Sequence, residues 1–238
     1  MTPRAAARAS TADRFVAVSG AVASTLAKAG VDPARIAVIP DGLPPEAFVD
    51  APVPPAPPFR LVHVGTFDGR KGQDIAVEVL ARLVHRGVDA TLLFLGSGTE
   101  RSAVEARAAA LGVTNRCIFA GEVGDVAARL AASHLLLLPS ESEGAPLALV
   151  EAMAAGCPVL AHAVGGIPEL TDHGAAGGLV SSLAPEAWES AAFSLLMDSE
   201  ERARVVAAGR AKASERTLAR TVALVEAELE KARAGRGT

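Results

Sequence analysis

The strongest constraint on the fold is an alternation of short apolar runs and longer Ala-rich stretches that starts at residue 59. Strands that are apolar along their whole length are typical of a parallel sheet that helices cover on both faces. We therefore predict an α/β fold, a doubly wound, Rossmann-like parallel sheet. The predicted strands are 60–67, 91–96, 117–121, 135–140, 158–162 and 177–180, and the predicted helices are 71–86, 99–111, 124–132, 146–155, 166–172, 185–197 and 200–213.

Three short elements and a proline-rich segment precede this regular part. Residues 15–18 predict a strand, Ser19 caps a helix that stops at Gly30, and residues 36–40 predict a second strand. The prolines of residues 44–58 interrupt both helices and strands and predict a semi-rigid hinge. The predicted domains are therefore 1–43 before the hinge and 59–213 after it.

The last part of the chain, 214–238, predicts an amphipathic helix followed by a basic tail. The helix carries one apolar stripe, formed by Leu218, Val222, Val225 and Leu229. A stripe of this kind needs a surface to cover.

Charge and composition exclude several classes of protein. The net charge is -4, only 3% of residues are aromatic and Tyr is absent, so we predict no nucleic-acid partner. No run of 18 apolar residues predicts a membrane span, and the N-terminal residues lack the apolar core of a secretory signal. Cys117 and Cys157 lack the spacing of a metal site or a disulfide scaffold and are expected to be buried. We predict a cytoplasmic protein.

Ligands of open α/β sheets bind beyond the carboxyl ends of the strands, where helix N-termini point. The first such loop, 65–72, combines three glycines with Arg70 and Lys71. Positive charge beside a helix N-terminus favours an anion such as a diphosphate. A solvated basic turn is an equally good interpretation of the loop alone.

Two further loops give weaker signals. Gly98 lies in a Gly-x-Gly loop that suits either close approach of a ligand or tight packing. Val123 follows the next strand, where a flat heterocycle has room to lie against the backbone. Asp125 is expected to cap the helix behind it.

The fourth loop carries two carboxylates, Glu143 and Glu151, eight positions apart. Gly144 and Ala145 add no bulk, and Pro146 fits the first turn of the helix between the two acids. Both carboxylates then border one cleft, and such a pair suits the hydroxyls of ribose and hexose. The alternative is a helix-dipole contact for Glu143 and a solvated position for Glu151. The apolar neighbours of Glu151 favour the binding interpretation.

Six ordered segments carry a resemblance to a known family. They are VAVSGAVASTLAKAGVDPARIAVIPDGL, VGTFDGRKGQD, LFLGSG, FAGEV, LLLLPSESEGAPLALVEAMAAGCPVLA and GGIPEL, and together they span roughly residues 16–180. The series resembles the nucleotide-sugar-binding half of the retaining group 1 glycosyltransferases of GT-B type, which contain two Rossmann-like domains. The E-x7-E element at Glu143 and Glu151 is its most specific part.

The resemblance implies a role for each matching residue. Lys71 holds the donor diphosphate, Glu143 lies against the transferred sugar as the catalytic residue, and Glu151 binds the ribose hydroxyls. The backbone of 144–147 meets sugar and phosphate, and the base lies against Val123. Such enzymes retain the anomeric configuration and need no cofactor or essential metal ion. The implied donor-binding residues are Lys71, Arg70, Gly98, Val123, Gly144, Ala145, Pro146, Leu147 and Glu151.

Two departures from the family pattern are visible. Thr66 stands where the family usually has Arg, so Arg70 is the substitute candidate for that phosphate contact. Residues 1–43 match only the end of the family's N-terminal acceptor-binding domain. We therefore expect a glycosyltransferase whose acceptor domain is truncated or supplied by another chain. The alternatives are a non-catalytic nucleotide-sugar-binding module and a sugar-nucleotide epimerase.

Overall fold

The computed structural model describes residues 12–52 and 55–234, and its main feature is a six-stranded parallel sheet in the order β5-β4-β3-β6-β7-β8. The parts of the predicted N-terminal domain, hinge and tail at 1–11, 53–54 and 235–238 lie outside the described residues. The strands are β1 (Phe15–Ala17), β2 (Ile36–Val38), β3 (Phe59–Val64), β4 (Ala90–Leu95), β5 (Cys117–Gly121), β6 (Leu135–Leu138), β7 (Val159–His162) and β8 (Gly178–Val180).

Helices alternate with these strands, which confirms the predicted doubly wound α/β class. Within the described residues they are α1 (Gly20–Lys28), α2 (Gln73–His85), α3 (Arg101–Ala110), α4 (Val126–Ala131), α5 (Leu147–Ala155), α6 (Ile167–Leu170), α7 (Pro185–Met197), α8 (Ser199–Ser214) and α9 (Leu218–Ala234). No helix among them is both long and apolar enough to cross a membrane. The cytoplasmic location stays a prediction.

Each face of the sheet packs into its own hydrophobic core. Along β6, Leu135 and Leu137 join one core, whereas Leu136 and Leu138 join the other. This follows from the two-residue period of a strand, which sends successive side chains to opposite faces. Four consecutive leucines are therefore all buried, as expected of a strand covered on both sides.

Several predicted strands end later than the observed ones, and the first strand of the large sheet shows the largest difference. The sequence predicted that the first strand of the sheet runs to residue 67, but β3 ends at Val64. Phe67 instead belongs to the loop, and its buried ring packs 5.8 Å from the ring of Phe94 and 6.2 Å from that of Phe119. An apolar residue that a loop buries looks like a strand residue in the sequence.

The residues before the hinge form a separate two-stranded parallel sheet, β1 with β2, joined by α1. As predicted, the Ser19 hydroxyl caps α1, accepting from the Val22 N–H at 3.3 Å. Val16 and Val38 on this small sheet are 51% and 44% exposed. Strands of three residues leave most of this sheet without a core of its own.

The hinge is more ordered than its prolines predict. One 3-10 turn spans Pro45–Ala47, and Ala47 is buried against the second core. Beyond α8, the chain returns to the residue that precedes the hinge, where the Leu218 N–H donates to the Leu43 carbonyl at 2.9 Å. The described part of the hinge is thus packed against the large domain.

Helix α9 lies against the N-terminal segment. The Arg14 guanidinium contacts the Glu228 carboxylate at 2.9 Å, and the Thr221 hydroxyl donates to the Pro40 carbonyl at 2.8 Å. The predicted apolar stripe covers little of this contact, because Leu218, Val222 and Leu229 are exposed.

Candidate functional site

The candidate site lies where the direction of winding changes. The chain passes from β3 to β4 on one side of the sheet and later returns to β6 on the other side of β3. Two loops therefore meet at the carboxyl ends of β3 and β6, which is the usual ligand position in such sheets. The Lys71 Nζ and the Glu143 Oε1 lie 2.8 Å apart there, with side chains 26% and 7% exposed.

The turn that carries Lys71 is fixed by its backbone. The Nε2–H of the buried His63 donates to the Lys71 carbonyl at 2.9 Å. Gly72 has a φ of +70°, and a Cβ there would lie 2.2 Å from the Pro139 carbonyl oxygen. Because only glycine accepts this conformation and this contact, the turn is held against the end of β6.

Arg70 does not join Lys71 in this structure. Its guanidinium lies 2.7 Å from the Asp68 carboxylate, and the side chain is 71% exposed. The hydrogen bonds from Arg70 lower the pKa of Asp68. An exposed ion pair contributes little to stability, so turning Arg70 toward a phosphate costs little. Its role as the substitute for the missing arginine at Thr66 stays a prediction.

The loop that carries Glu143 is enclosed by two other segments. The Gly144 carbonyl accepts from the Ser19 hydroxyl at 2.9 Å and from the Gly166 N–H at 3.1 Å. Gly165 has a φ of +59°, and a Cβ there would lie 1.7 Å from the Glu143 carbonyl oxygen. The N-terminal segment and the β7–α6 turn thus fix the position of the first acid.

Glu151 lies in the second turn of α5, among residues that are almost all buried. Pro146 occupies the N-cap with a φ of -67° and a ψ of 121°, so the helix begins one residue later than predicted. Burial raises the pKa of Glu151. Within the described residues its carboxylate has neither a hydrogen bond nor an ion pair. A half-buried, unpaired charge is costly, so this carboxylate is the strongest indication of a ligand.

Replacing Glu151 by glutamine is expected to stabilise the free protein and to weaken nucleotide binding about tenfold. The raised pKa means that the folded protein binds more protons than the unfolded chain just above pH 4.5, so ionisation of Glu151 lowers stability as the pH rises. Urea unfolding at pH 7 and pH 4 measures the stabilisation by Glu151→Gln, which should be smaller at pH 4 than at pH 7. A variant less stable than wild type at pH 7 would contradict the prediction.

The two weaker loops have clear packing roles. Gly98 has a φ of +152°, and a Cβ there would lie 2.4 Å from the Phe67 carbonyl oxygen, so packing alone explains this glycine. Val123 packs, partly buried, against the second core. The expected capping by Asp125 was wrong, since its carboxylate pairs with Arg129 at 2.7 Å and makes no capping hydrogen bond. Helix α4 is short and exposed at this end, so the ion pair with Arg129 competes well with a capping hydrogen bond.

Sequence reasoning missed two contributors to the site. His63 received no role, although a histidine within an apolar strand, two residues before Gly65, was the available signal. Glu169 also received no role, whereas its carboxylate accepts from the Gly20 N–H at 2.9 Å. Together with the contact between Ser19 and Gly144, this bond joins α1 to the candidate site.

The two cysteines take no part in the site. Burial raises the pKa of the Cys117 thiol to about 11 and that of Cys157 to about 12, so both thiols stay protonated. Cys117 is only half-buried, contrary to expectation, because it lies at the edge strand of the sheet. In the parts of the chain that the structure describes, no group of three His, Cys, Asp or Glu side chains suits a metal ion. That the reaction needs no metal remains a prediction.

The sheet order and the lysine–carboxylate pair at its switch point define a Rossmann-like domain with its candidate site at the carboxyl ends of the strands. The sequence profile of the family described as glycosyl transferases group 1 matches residues 47–212. The chain therefore belongs to this family.

Solved structures show the same fold. The crystal structure of Anabaena HepE in complex with UDP and glucose matches 97% of this chain and 66% of that chain, with a TM-score of 0.83 and 23% sequence identity. Sucrose-phosphate synthase from Thermosynechococcus elongatus matches 94% of this chain and 59% of that chain, with a TM-score of 0.82 and 25% identity. The fold is thus that of the GT-B glycosyltransferases.

Curated relatives are longer than this chain. N-acetyl-alpha-D-glucosaminyl L-malate synthase of Bacillus anthracis is 38% identical over 150 residues, which cover 60% of this chain and 39% of the relative. D-inositol 3-phosphate glycosyltransferase of Segniliparus rotundus is 33% identical over 215 residues, which cover 79% of this chain and 48% of the relative. The chain spans less than half the length of these relatives.

Proposed function

We propose that this chain binds the nucleotide-sugar donor of a glycosyltransferase that transfers a hexose-like sugar with retention of configuration. The half-buried carboxylate of Glu151, which has no hydrogen-bond or ion-pair partner among the described residues, is the observation that carries the proposal. Ribose hydroxyls supply the donors that this carboxylate lacks in the free protein. The UDP and glucose bound in the similar HepE crystal structure belong to the same class of ligand.

The pair of Lys71 and Glu143 changes partners when the donor binds. A diphosphate carries more negative charge than one carboxylate, so it competes for the Lys71 Nζ, which donates three hydrogen bonds. Glu143, freed from part of this contact, accepts a hydroxyl of the transferred sugar. Cationic stabilisation of the leaving diphosphate is the main contribution of Lys71 to the reaction.

The backbone of the loop after Glu143 completes the donor site. The backbone N–H groups of Gly144, Ala145 and Leu147 lie just before and at the first residue of α5, and Leu147 is 45% exposed, so a ligand can approach this helix N-terminus. In this proposal the base lies along Val123 and the Gly98 loop and is met mainly by backbone groups. No cofactor enters the reaction.

The acceptor is bound, in this proposal, by residues outside these 238, in the same polypeptide or in a second one. The exposed Val16 and Val38 of the small sheet and the exposed stripe of α9 favour this arrangement, because apolar surface of this kind is normally covered. The same surface favours a second candidate function, a nucleotide-sugar-binding module without activity of its own. The reason is that a site that is open on one side excludes water poorly, which disfavours transfer to an acceptor.

Titration calorimetry with UDP, GDP, ADP and their glucose conjugates tests the proposed function. We expect one of the three nucleotides to bind. No binding of any of them would overturn the proposal. Sugar transfer by the chain alone, with a panel of simple acceptors, would then exclude the non-catalytic module.

The variant Glu143→Gln tests whether Glu143 and Glu151 have different roles. This change is expected to leave nucleoside diphosphate affinity within about threefold of wild type, while transfer in an active assembly falls at least tenfold. The reason is that Glu143 contacts the sugar and Glu151 the ribose. Equal losses of diphosphate affinity for Glu143→Gln and Glu151→Gln would show that this division of roles is wrong.

A further inference from the structure

We propose that His63 is a positioning residue, which acts through the backbone of Lys71 to aim the lysine side chain at the donor diphosphate. This inference rests on the proposed function. His63 lies on β3, fully buried, and touches the candidate site only through the turn that follows the strand.

Two hydrogen bonds fix the turn that carries the lysine. The His63 Nε2–H holds the Lys71 carbonyl at 2.9 Å, and the Glu141 N–H holds the neighbouring Arg70 carbonyl at the same distance. Both side chains lie next to Gly65, since a Cβ there would lie 3.4 Å from His63 Cε1 and 3.4 Å from Lys71 Cγ, an ordinary contact distance. The aliphatic part of the Lys71 side chain thus lies next to Gly65, and the hydrogen bond from His63 holds the Lys71 main chain.

A histidine is a costly residue for this buried position. A carbonyl only accepts, so Nε2 carries the proton and Nδ1 has a lone pair. Within the described residues Nδ1 is buried without a hydrogen-bond partner. Leucine fills a similar volume with no unsatisfied atom, so packing alone does not explain His63. Among the described residues, the bond to Lys71 is the one hydrogen bond that the ring makes.

The ring is also uncharged at neutral pH, since burial lowers its pKa to about 4. It therefore holds the turn without a second positive charge beneath Lys71, which would repel the lysine. A fixed donor of this kind reduces the entropy lost when the lysine engages a ligand.

The test compares His63→Leu with His63→Gln, whose side-chain N–H reaches about as far as Nε2. The probes are whichever of UDP, GDP and ADP binds wild type, and its nucleoside monophosphate. His63→Leu should weaken diphosphate binding about tenfold and monophosphate binding less than threefold, because Lys71 contacts the outer phosphate. His63→Gln should restore diphosphate affinity to within threefold of wild type.

His134→Leu is the matched control. This histidine is also buried but lies at the opposite end of the sheet, where its Nδ1 accepts from the Arg60 N–H at 2.9 Å. The variant His134→Leu should leave the ratio of diphosphate to monophosphate affinity unchanged.

A double-mutant cycle gives the second readout. In a Lys71→Ala background, His63→Leu should cause no further loss of diphosphate affinity. Wild-type diphosphate affinity in His63→Leu, or an equal loss for diphosphate and monophosphate, would overturn the inference alone. A wild-type protein that binds none of the three diphosphates would instead overturn the proposed function on which it rests.

Discussion

Gly165→Ala is expected to destabilise the protein by about 2–5 kcal/mol. This estimate adds the cost of placing a non-glycine residue in the left-handed conformation to the cost of overpacking. The added methyl would lie 1.7 Å from the Glu143 carbonyl oxygen. Backbone of the loop after β6 must then move, because the obstacle is not a flexible side chain. Urea unfolding, followed by circular dichroism, measures the loss.

Gly112→Ala is the control for that experiment. Gly112 has a φ of +71°, but no heavy atom of the described residues lies within 4 Å of an added Cβ. It should cost only about 1–2 kcal/mol, the left-handed conformation alone. Equal losses for the two variants would mean that Gly165 does not pack against the Glu143 loop.

The second large effect is a fall in stability between pH 6.5 and pH 4 that His63 causes. Its pKa is about 4 in the folded protein, against 6.5 when unfolded, because burial disfavours the charged ring. Below pH 6.5 the unfolded chain therefore binds a proton that the folded protein does not. The contribution of neutral His63 to the free energy of unfolding is complete above pH 6.5. It is lost as the pH falls, and the loss reaches about 3 kcal/mol at pH 4.

Neighbouring charges modify this titration without reversing it. Lys71 adds to the fall in pKa, whereas Glu143 and Asp74 oppose it. Denaturant unfolding of wild type and His63→Leu at pH 7, 5.5 and 4.5 isolates the contribution, since the difference in unfolding free energy between the two should change with pH. A constant difference would show that His63 is solvated or charged in the folded state.

The sheet was predictable because its strands and helices have different periods and lengths. β5 and α7 begin and end where the sequence predicted. The prediction failed where tertiary packing overrides local pattern. Phe67 is apolar because a loop buries it, and Asp125 precedes a helix yet prefers Arg129 to the backbone.

The candidate site was predictable only as a set of loops. Parallel strands bring their carboxyl ends together, so the positions of Lys71 and Glu143 followed from the strand order. Their direct contact at 2.8 Å did not, because side-chain pairing depends on the exact path of two loops. The contacts of Ser19 and Glu169 were also hidden, since they join parts of the chain more than 100 residues apart.

The central claim is that a nucleotide spans Glu151 and Lys71. A crystal structure with the nucleoside diphosphate that binds in solution tests this most directly. We predict ribose hydroxyls about 3 Å from the Glu151 carboxylate and a phosphate oxygen about 3 Å from the Lys71 Nζ. A nucleotide bound elsewhere, with both side chains directed away from it into solvent, would contradict the account.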